Sequence, residues 1–486
     1  MKKVPSQTAE KPCTIFHKKG FSKRVKGAII LVKSYTNYPN YRTRLDKEAD
    51  MAQPEPKQSS RRPQVVIVGG GFGGLRAARA LANQPVDVLL VDRNNYHLFQ
   101  PLLYQVATAG LAADEIAHPL RAILRGQGNL RFRLAEVNGL DLAQRRLFTA
   151  EGEIAYDFLI LAVGGVTHTF GIPSVAQHGL GLKTLEDAHR IRSHLLRQFE
   201  RAAHEPEEAR RRELLTFVVV GGGPSGVEMA GAIGELVHMA VQRDYPNLRL
   251  DEVRVILLEA GGALLPALDA ELGQAAVSAL RQKGVEVRFG AAVTAYDGRR
   301  IQLKDQPDLP AATVVWAAGV RAHPLLDALG CCQDRLGRAQ VQPSLQLEGH
   351  PEVFVIGDAA AALDAQGKLL PMVAPVAMQQ GEHAARNILR ALHGQTGLPF
   401  TYRDPGMMAT IGRNQAVAQI GSLRLRGFLA WLAWLGVHIL QLIGFRNRLL
   451  VLVDWAWQYI SYDRAVRLID ADAPPAGIMD AEINGS

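Results

Sequence analysis

Cysteine is scarce in this 486-residue chain, which holds only Cys13, Cys331 and Cys332. None forms a C-x-x-C pair, and no Cys/His cluster has zinc or iron–sulfur spacing, so no resident metal is expected. A disulfide scaffold is not expected either, and a reducing compartment fits. The adjacent Cys331 and Cys332 read as ordinary loop thiols. Between Gln64 and Gly330 there is no cysteine at all, which removes thiol nucleophiles and dithiol couples from that stretch. Long apolar runs are few. Gly27–Val32 is short, sits behind a long basic region and lacks a small-residue cleavage site, so it is no secretory signal. An excess of charge is also missing from most of the chain. The formal net charge is +8, but residues 1–63 hold 15 Lys and Arg against 5 Asp and Glu, a net of +10. The other 423 residues therefore sum to −2, and no nucleic-acid partner is expected. Residues 1–63 read as a disordered basic extension, or as a stretch upstream of a natural start at Met51.

What is present is a globular composition, 48% hydrophobic and 21% charged with 46 Gly, in a chain long enough for two or three domains. Order begins at Gln64. Val65–Val68 reads as a buried strand, Gly69–Gly74 as a turn, Leu75–Asn83 as a helix, and Val86–Val91 as a strand ended by Asp92. The pattern recurs: Phe217–Val220, Gly221–Gly226, Val227–Val241, then Val253–Leu258 ended by Glu259. A pattern repeated with strand, loop, helix and terminal acid is far more specific than a lone G-x-G-x-x-G.

In the first loop, Gly69 permits the tight turn, Gly71 lets backbone approach a pyrophosphate, and Gly74 lets helix pack on sheet; Phe72 and Gly73 complete the cradle. The pyrophosphate is expected on the bare N–H groups of the helix start, and Asp92 on the ribose diol. The second loop offers Gly221, Gly223, Pro224, Ser225 and Gly226, with Glu259 as its acid. A carboxylate there repels a 2′-phosphate, and no Arg follows it, so NADH is expected over NADPH. Further strands end at small residues: Phe158–Val163 before Gly164, Val314–Ala317 before Ala318-Gly319, and Val353–Ile356 before Gly357-Asp358. Ala359–Ala362 reads as a helix start.

With these features the chain resembles the two-dinucleotide-domain flavoproteins, and more closely the type II NADH dehydrogenases. The matching stretches are Asn95–Ala107 (N-Y-H-L-F-Q-P-L-L-Y-Q-V-A), Val218–Gly231, Trp316–Val320, Val353–Ala360, Ala374–Gly381 and Gly444–Leu449 (G-F-R-N-R-L). The likeness runs from about Gln64 to about Ile469. It implies FAD on the first loop and NADH on the second. It implies FAD contacts at Arg93, His97, Val137, Ala162, Gly164, Gly357, Asp358 and Ala377, and NADH contacts at Ala318 and Gly319. It also implies a quinone site around Ala374, Pro375, Met378, Gln379 and Gln380. There the family's A-Q-x-A-x-Q reads A-P-V-A-M-Q, and Pro375 has no N–H to donate. Gln379 is then the candidate for a quinone carbonyl contact, or else a Gln that orders a helix start. Glu228 is read in two ways, as a charge- or proton-handling acid at the nicotinamide and flavin, or as a first-turn acid favoured by the helix dipole. The missing cysteines exclude the thiol-dependent siblings, disulfide reductases and peroxidases, and disfavour sulfide:quinone oxidoreductases.

Phe428–Phe445 is an 18-residue apolar run broken by His438 and Gln441, flanked by Arg424, Arg426, Arg446 and Arg448 and rich in Trp. Its length is the lower limit for a bilayer span. An in-plane interfacial anchor is favoured over a core or dimer helix and over a true span. The second run, Leu449–Ile460, is shorter and contains Asp454.

The expected architecture is α/β, with two Rossmann-like dinucleotide-binding domains (FAD and NADH) and a C-terminal apolar helical membrane-anchor module. The expected boundaries are 1–63 for the extension, 64–180 and 320–403 for the FAD domain, 181–319 for the NADH domain, and 404–486 for the anchor. The expected activity is NADH to flavin to membrane quinone, without proton pumping, at the cytoplasmic face of the inner (cell) membrane. The partners are the quinone and the membrane surface, with a homodimer left open. A reductase of a small redox protein such as ferredoxin, and a non-enzymatic FAD-bound sensor or scaffold, stand as alternatives.

Overall fold

The computed structural model describes residues 61–442, 451–453, 455, 467–470 and 477–478. Expectations on residues 1–60, on the Gly444–Leu449 stretch and on most of Leu449–Ile460 lie outside them.

The first unit opens with β1 (Gln64–Val68), α1 (Phe72–Ala80) and β2 (Asp87–Asp92), followed by β3 (Leu130–Leu134) and β4 (Phe158–Leu161). Consecutive apolar residues in β1 are buried because helices and loops cover both faces of the sheet. The second unit contains β5 (Leu180–Gly181), α2 (Leu185–His204), β6 (Thr216–Val220), α3 (Pro224–Arg243), β7 (Arg254–Leu258), α4 (Ala270–Gln282), β8 (Val285–Arg288) and β9 (Thr313–Trp316). The chain then returns to the first sheet with β10 (Gln346–Leu347) and β11 (His350–Val355), and adds α5 (Ala374–Leu392). Both helices of the Gly-rich units start earlier than the sequence suggested, at Phe72 and Pro224. Once the Gly loop has turned, nothing prevents helical hydrogen bonding from its fourth residue.

The strand order is β10-β11-β4-β1-β2-β3 in the first sheet, parallel except for the β10–β11 pair. In the second it is β5-β9-β6-β7-β8, parallel throughout. In each sheet the order reverses beside the strand that feeds a Gly-rich loop, β1 against β4 and β6 against β9. Such switch points open crevices at the carboxyl ends of strands. Helices α1 and α5 pack closely over one face of the first sheet, because Gly73 and Gly381 leave no Cβ between them.

Gly357-Asp358 is not followed by a helix. A 3₁₀ turn, Gly357–Ala359, leads into a two-residue strand, Ala360–Ala361, paired parallel with Ala339–Gln340. A short run of alanines carries little local preference, and the available strand partner decides its conformation.

The C-terminal module is an antiparallel sheet of β12 (Met407–Thr410), β13 (Ala416–Ile420) and β14 (Leu423–Arg426), followed by α6 (Phe428–Gln441). The 18-residue apolar run does not form one helix. Helix α6 has 14 residues and ends at Gln441, with Leu442 as its C-cap, a length of about 21 Å against the ~30 Å of a bilayer core. Among the described residues no helix is long and apolar enough to cross a membrane. Helix α6 has two apolar faces. Ala430, Trp434, Val437 and His438 are buried, while Phe428, Leu429, Leu432 and Leu440 are 49, 50, 45 and 39% exposed. Arg424, expected to flank an anchor, pairs with Asp269 at 2.7 Å.

Candidate active site

The two Gly-rich loops share one geometry, residue for residue. Gly69 and Gly221 adopt φ of +102° and +115°, a region that side chains avoid. A Cβ on Gly74 would overlap the carbonyl oxygen of Gly69, and one on Gly226 that of Gly221. A Cβ on Gly71 or Gly223 would meet nothing within 4 Å, so both loops present backbone to open space. The Gly70 N–H donates to Asp92 Oδ2 at 2.5 Å and the Gly222 N–H to Glu259 Oε2 at 2.6 Å. The second oxygens accept from Asn94 N–H at 2.7 Å and Gly261 N–H at 2.5 Å. Each terminal acid is therefore held at its loop by two backbone N–H groups. Burial raises the Asp92 pKa, partly offset by the Asn94 and Gly70 amides. Helix α1 has no side-chain cap, which leaves its first N–H groups for an anion. Twin cradles of this shape fit two dinucleotides.

A cleft of about 870 Å³ runs from the first loop toward α6. Of the expected FAD contacts it is lined by Gly69, Gly71, Phe72, Gly73, Asp92, Arg93, Val137, Ala162, Gly164, Gly357, Asp358 and Ala377. Gly164 and Gly357 end the neighbouring strands β4 and β11 in left-handed conformations, both at φ +70°. His97 lies behind the wall. Its Nδ1 donates to the Gly70 carbonyl at 2.9 Å, and its ring meets Phe72 edge-on. Burial pushes its pKa down to about 4, so it is a neutral prop for the loop. Pro224, Ser225 and Glu228 bring the second unit to the same cleft. Gly221, Gly223, Gly226 and Glu259 lie beyond that lining, in the second cradle, and Gly221 packs against Ala318. At Gly319 a Cβ would meet the Phe170 ring at 2.9 Å.

The expected quinone stretch divides. Ala374 and Pro375 line the cleft; Met378, Gln379 and Gln380 do not. Gln379 spends both ends of its amide on Arg403, donating to its carbonyl at 2.9 Å and accepting from its N–H at 3.0 Å. Gln380 is buried and accepts from Gly357 N–H at 2.6 Å. The cause is helical: α5 begins at Ala374, so Ala374 and Ala377 share the face toward the cleft and the following residues turn away.

Glu228 is the fifth residue of α3, beyond the first turn, and that helix has no acid in its first turn. The dipole reading therefore loses its basis, since that effect fades within one turn. The side chain is buried and Oε1 accepts from the Thr410 N–H at 3.4 Å. Burial pushes its pKa up to about 8, and the Thr410 amide and the adjacent Trp434 indole offset only part of this. The indole N–H itself stops short of hydrogen-bond geometry. Glu228 thus stands at the cleft wall with burial favouring its neutral form.

Sequence reasoning missed several lining residues. Lys183 joins Asp358 in an ion pair of 3.2 Å. Tyr104 lines the cleft, and its hydroxyl accepts from Gln105 Nε2 at 2.8 Å, while Gln105 Oε1 accepts from Trp455 Nε1 at 2.9 Å. His438 also lines it. Its Nδ1 donates to the Trp434 carbonyl at 2.8 Å, its ring stacks on Trp434 at 4.2 Å, and burial lowers its pKa to about 4. Tyr104 and Gln105 lay within the stretch Asn95–Ala107 that carries the resemblance, and His438 was a polar residue in an apolar run. Those signals could have flagged them.

Comparison with known proteins agrees with this geometry. A family model described as pyridine nucleotide-disulphide oxidoreductase matches residues 63–381, and one described as NDH2 C-terminal domain matches residues 405–461. A type II NADH:quinone oxidoreductase of Mycobacterium tuberculosis is 42% identical over 85% of this chain and 91% of its own length. A demethylphylloquinone reductase of Synechocystis sp. is 32% identical over 81% of this chain and 96% of its own. Among solved structures, NDH2 from Plasmodium falciparum in complex with NADH superposes with a TM-score of 0.77 at 19% identity, covering 84% of this chain and all of that one.

Proposed function

The chain belongs to the type II NADH:quinone oxidoreductases, and from that membership we propose how its residues divide the work. It is an enzyme that uses FAD to pass electrons from NADH to a quinone. Residues 64–180 and 320–403 form the flavin domain, 181–319 the NADH domain and 404–486 the membrane-facing module. The first loop holds the FAD pyrophosphate on the open N–H groups past Gly71, with Asp92 toward the adenosine ribose and Gly357-Asp358 toward the ribityl chain. The second loop and Glu259 hold NADH, and Glu259 disfavours a 2′-phosphate. Bound between them, the flavin supplies the two-electron relay from NADH to quinone.

The observation that carries this reading is one continuous cleft whose wall includes the first Gly loop, Glu228 and helix α6. Glu228 holds the proton that quinone reduction consumes, because each hydride delivered to a quinone requires one further proton. Ala374, Pro375, Tyr104 and His438 shape the acceptor side. The exposed stripe Phe428, Leu429, Leu432 and Leu440 supports peripheral attachment to a membrane surface at the cytoplasmic face, where a lipid-borne quinone reaches the cleft without crossing water. Electron transfer runs without proton pumping, as in the type II family to which the chain belongs.

Purified, FAD-loaded protein should oxidise NADH with a water-soluble quinone and not with a ferredoxin. The double variant Leu429→Glu/Leu432→Glu should keep that activity and lose co-sedimentation with anionic lipid vesicles. Retained vesicle binding would remove the membrane assignment of α6, and ferredoxin-dependent turnover would remove the quinone assignment.

A further inference from the structure

Lysine is rare after residue 63, where Lys183, Lys283, Lys304 and Lys368 stand among 36 arginines. Of these four, only Lys183 lines the cleft, and it is fixed from three sides. Its carbonyl accepts from Gln100 Nε2 at 2.8 Å, its N–H donates to Asp187 Oδ2 at 3.0 Å, and its ammonium pairs with Asp358 Oδ2 at 3.2 Å. Asp187 in turn closes the capping box of α2 with Thr184. The ammonium is thus held at one place rather than left to wander on its stem. Lys183 and Asp358 lie 175 positions apart, and both side chains are largely buried, 19 and 16% exposed.

A part-buried ion pair carries a desolvation cost that a fully exposed pair avoids, and this pair stands at the cleft wall rather than within either sheet. Its chemical setting gives it a purpose. A carboxylate at Asp358 suits sugar-chain hydroxyls, but it also adds a negative charge beside a ring system that becomes more negative when reduced. Uncompensated, Asp358 would disfavour reduction by NADH. A compact ammonium held against it cancels that charge. We propose that Lys183 is a positioning residue that neutralises Asp358 beside the flavin and thereby sets the flavin reduction potential. This rests on the reading of the cleft as the flavin site.

The experiment is anaerobic reductive titration of FAD-loaded protein against a reference dye, with flavin content measured for every sample. Lys183→Met should shift the reduction equilibrium toward oxidised flavin by roughly tenfold, about 30 mV lower for a two-electron couple. Asp358→Asn should shift it in the opposite direction. The double variant should return to within about threefold of the parent protein, and Lys183→Arg should stay equally close. An unchanged or raised potential in Lys183→Met overturns the proposal, as does a double variant that stays as low as Lys183→Met. If Lys183→Met does not retain flavin, Asp358→Asn alone decides: its potential must rise. Parent protein that takes up no flavin would instead overturn the reading of the cleft. A flavin-loaded parent with unmoved variants would overturn only the role of Lys183.

Discussion

Replacing Glu228 by Gln should remove a pH dependence expected of the parent protein in both stability and turnover. The two side chains have the same shape, so the change deletes ionisation and little else. Burial raises the Glu228 pKa from 4.5 to about 8, a shift that makes ionisation in place cost on the order of 5 kcal/mol. The sign follows from proton counting. Between pH 4.5 and 8 the folded protein keeps a proton that the unfolded chain has released, so stability falls as pH rises through that window and levels off above it. From pH 6 to 8 the loss is roughly 2 kcal/mol. Urea unfolding at half-unit intervals should show the parent midpoint declining against that of Glu228→Gln, with the two curves running parallel above pH 8. In kinetics, quinone reduction by the parent should fall above pH 8, and the variant should be slower by about 10²-fold with that limb absent. Parallel stability curves from pH 5 to 9, or an unchanged quinone-reduction rate, would refute the assignment of a neutral acid at this position.

The duplicated loops can be separated by matched substitutions: Gly74→Ala should yield protein without flavin, and Gly226→Ala should keep flavin yet lose its reduction by NADH, since each new Cβ overlaps a carbonyl oxygen of its own loop. Absorbance at flavin wavelengths and stopped-flow reduction read the two effects. Glu259→Ala should narrow the preference for NADH over NADPH in steady-state kcat/KM, and an unaltered ratio would remove that residue from coenzyme selection. His97, His438 and His194, a residue of α2 whose Nε2 donates to the Ala312 carbonyl at 3.2 Å, are all held neutral by burial with pKa values near 4. Stability should therefore decline as pH falls from 6.5 toward 4, by up to ~1.4 kcal/mol per unit for each ring. His194→Gln should flatten that decline.

The Gly-rich loops were legible because their chemistry is local. Turn, close backbone approach and terminal acid all fall within one strand–loop–helix unit, and Asp92 and Glu259 sit against the loops they were matched to. Helix onset was less legible, since a run of Gly and Pro hides how early helical bonding can begin. Ala359–Ala362 was misread because its conformation depends on Ala339–Gln340, a strand remote from it in sequence. Which face of Ala374–Gln380 meets the cleft was not legible, because the facing depends on where α5 starts. Lys183 was invisible: nothing near it in sequence signals a partner at Asp358. The apolar C-terminal run was recognised, but its division into a buried and an exposed face required the sheet β12–β14 on which α6 rests.

That division has a practical consequence for anyone handling the protein. The fourteen residues of α6 present Leu429 and Leu432 to the outside and His438 and Gln441 to the interior void. If α6 meets the membrane as proposed, a detergent micelle that grips the outer flank also presses on the cleft wall formed by His438 and Gln441. On that proposal, rate constants gathered in different amphiphiles should differ, and variants should be compared with the surrounding lipid or surfactant held the same.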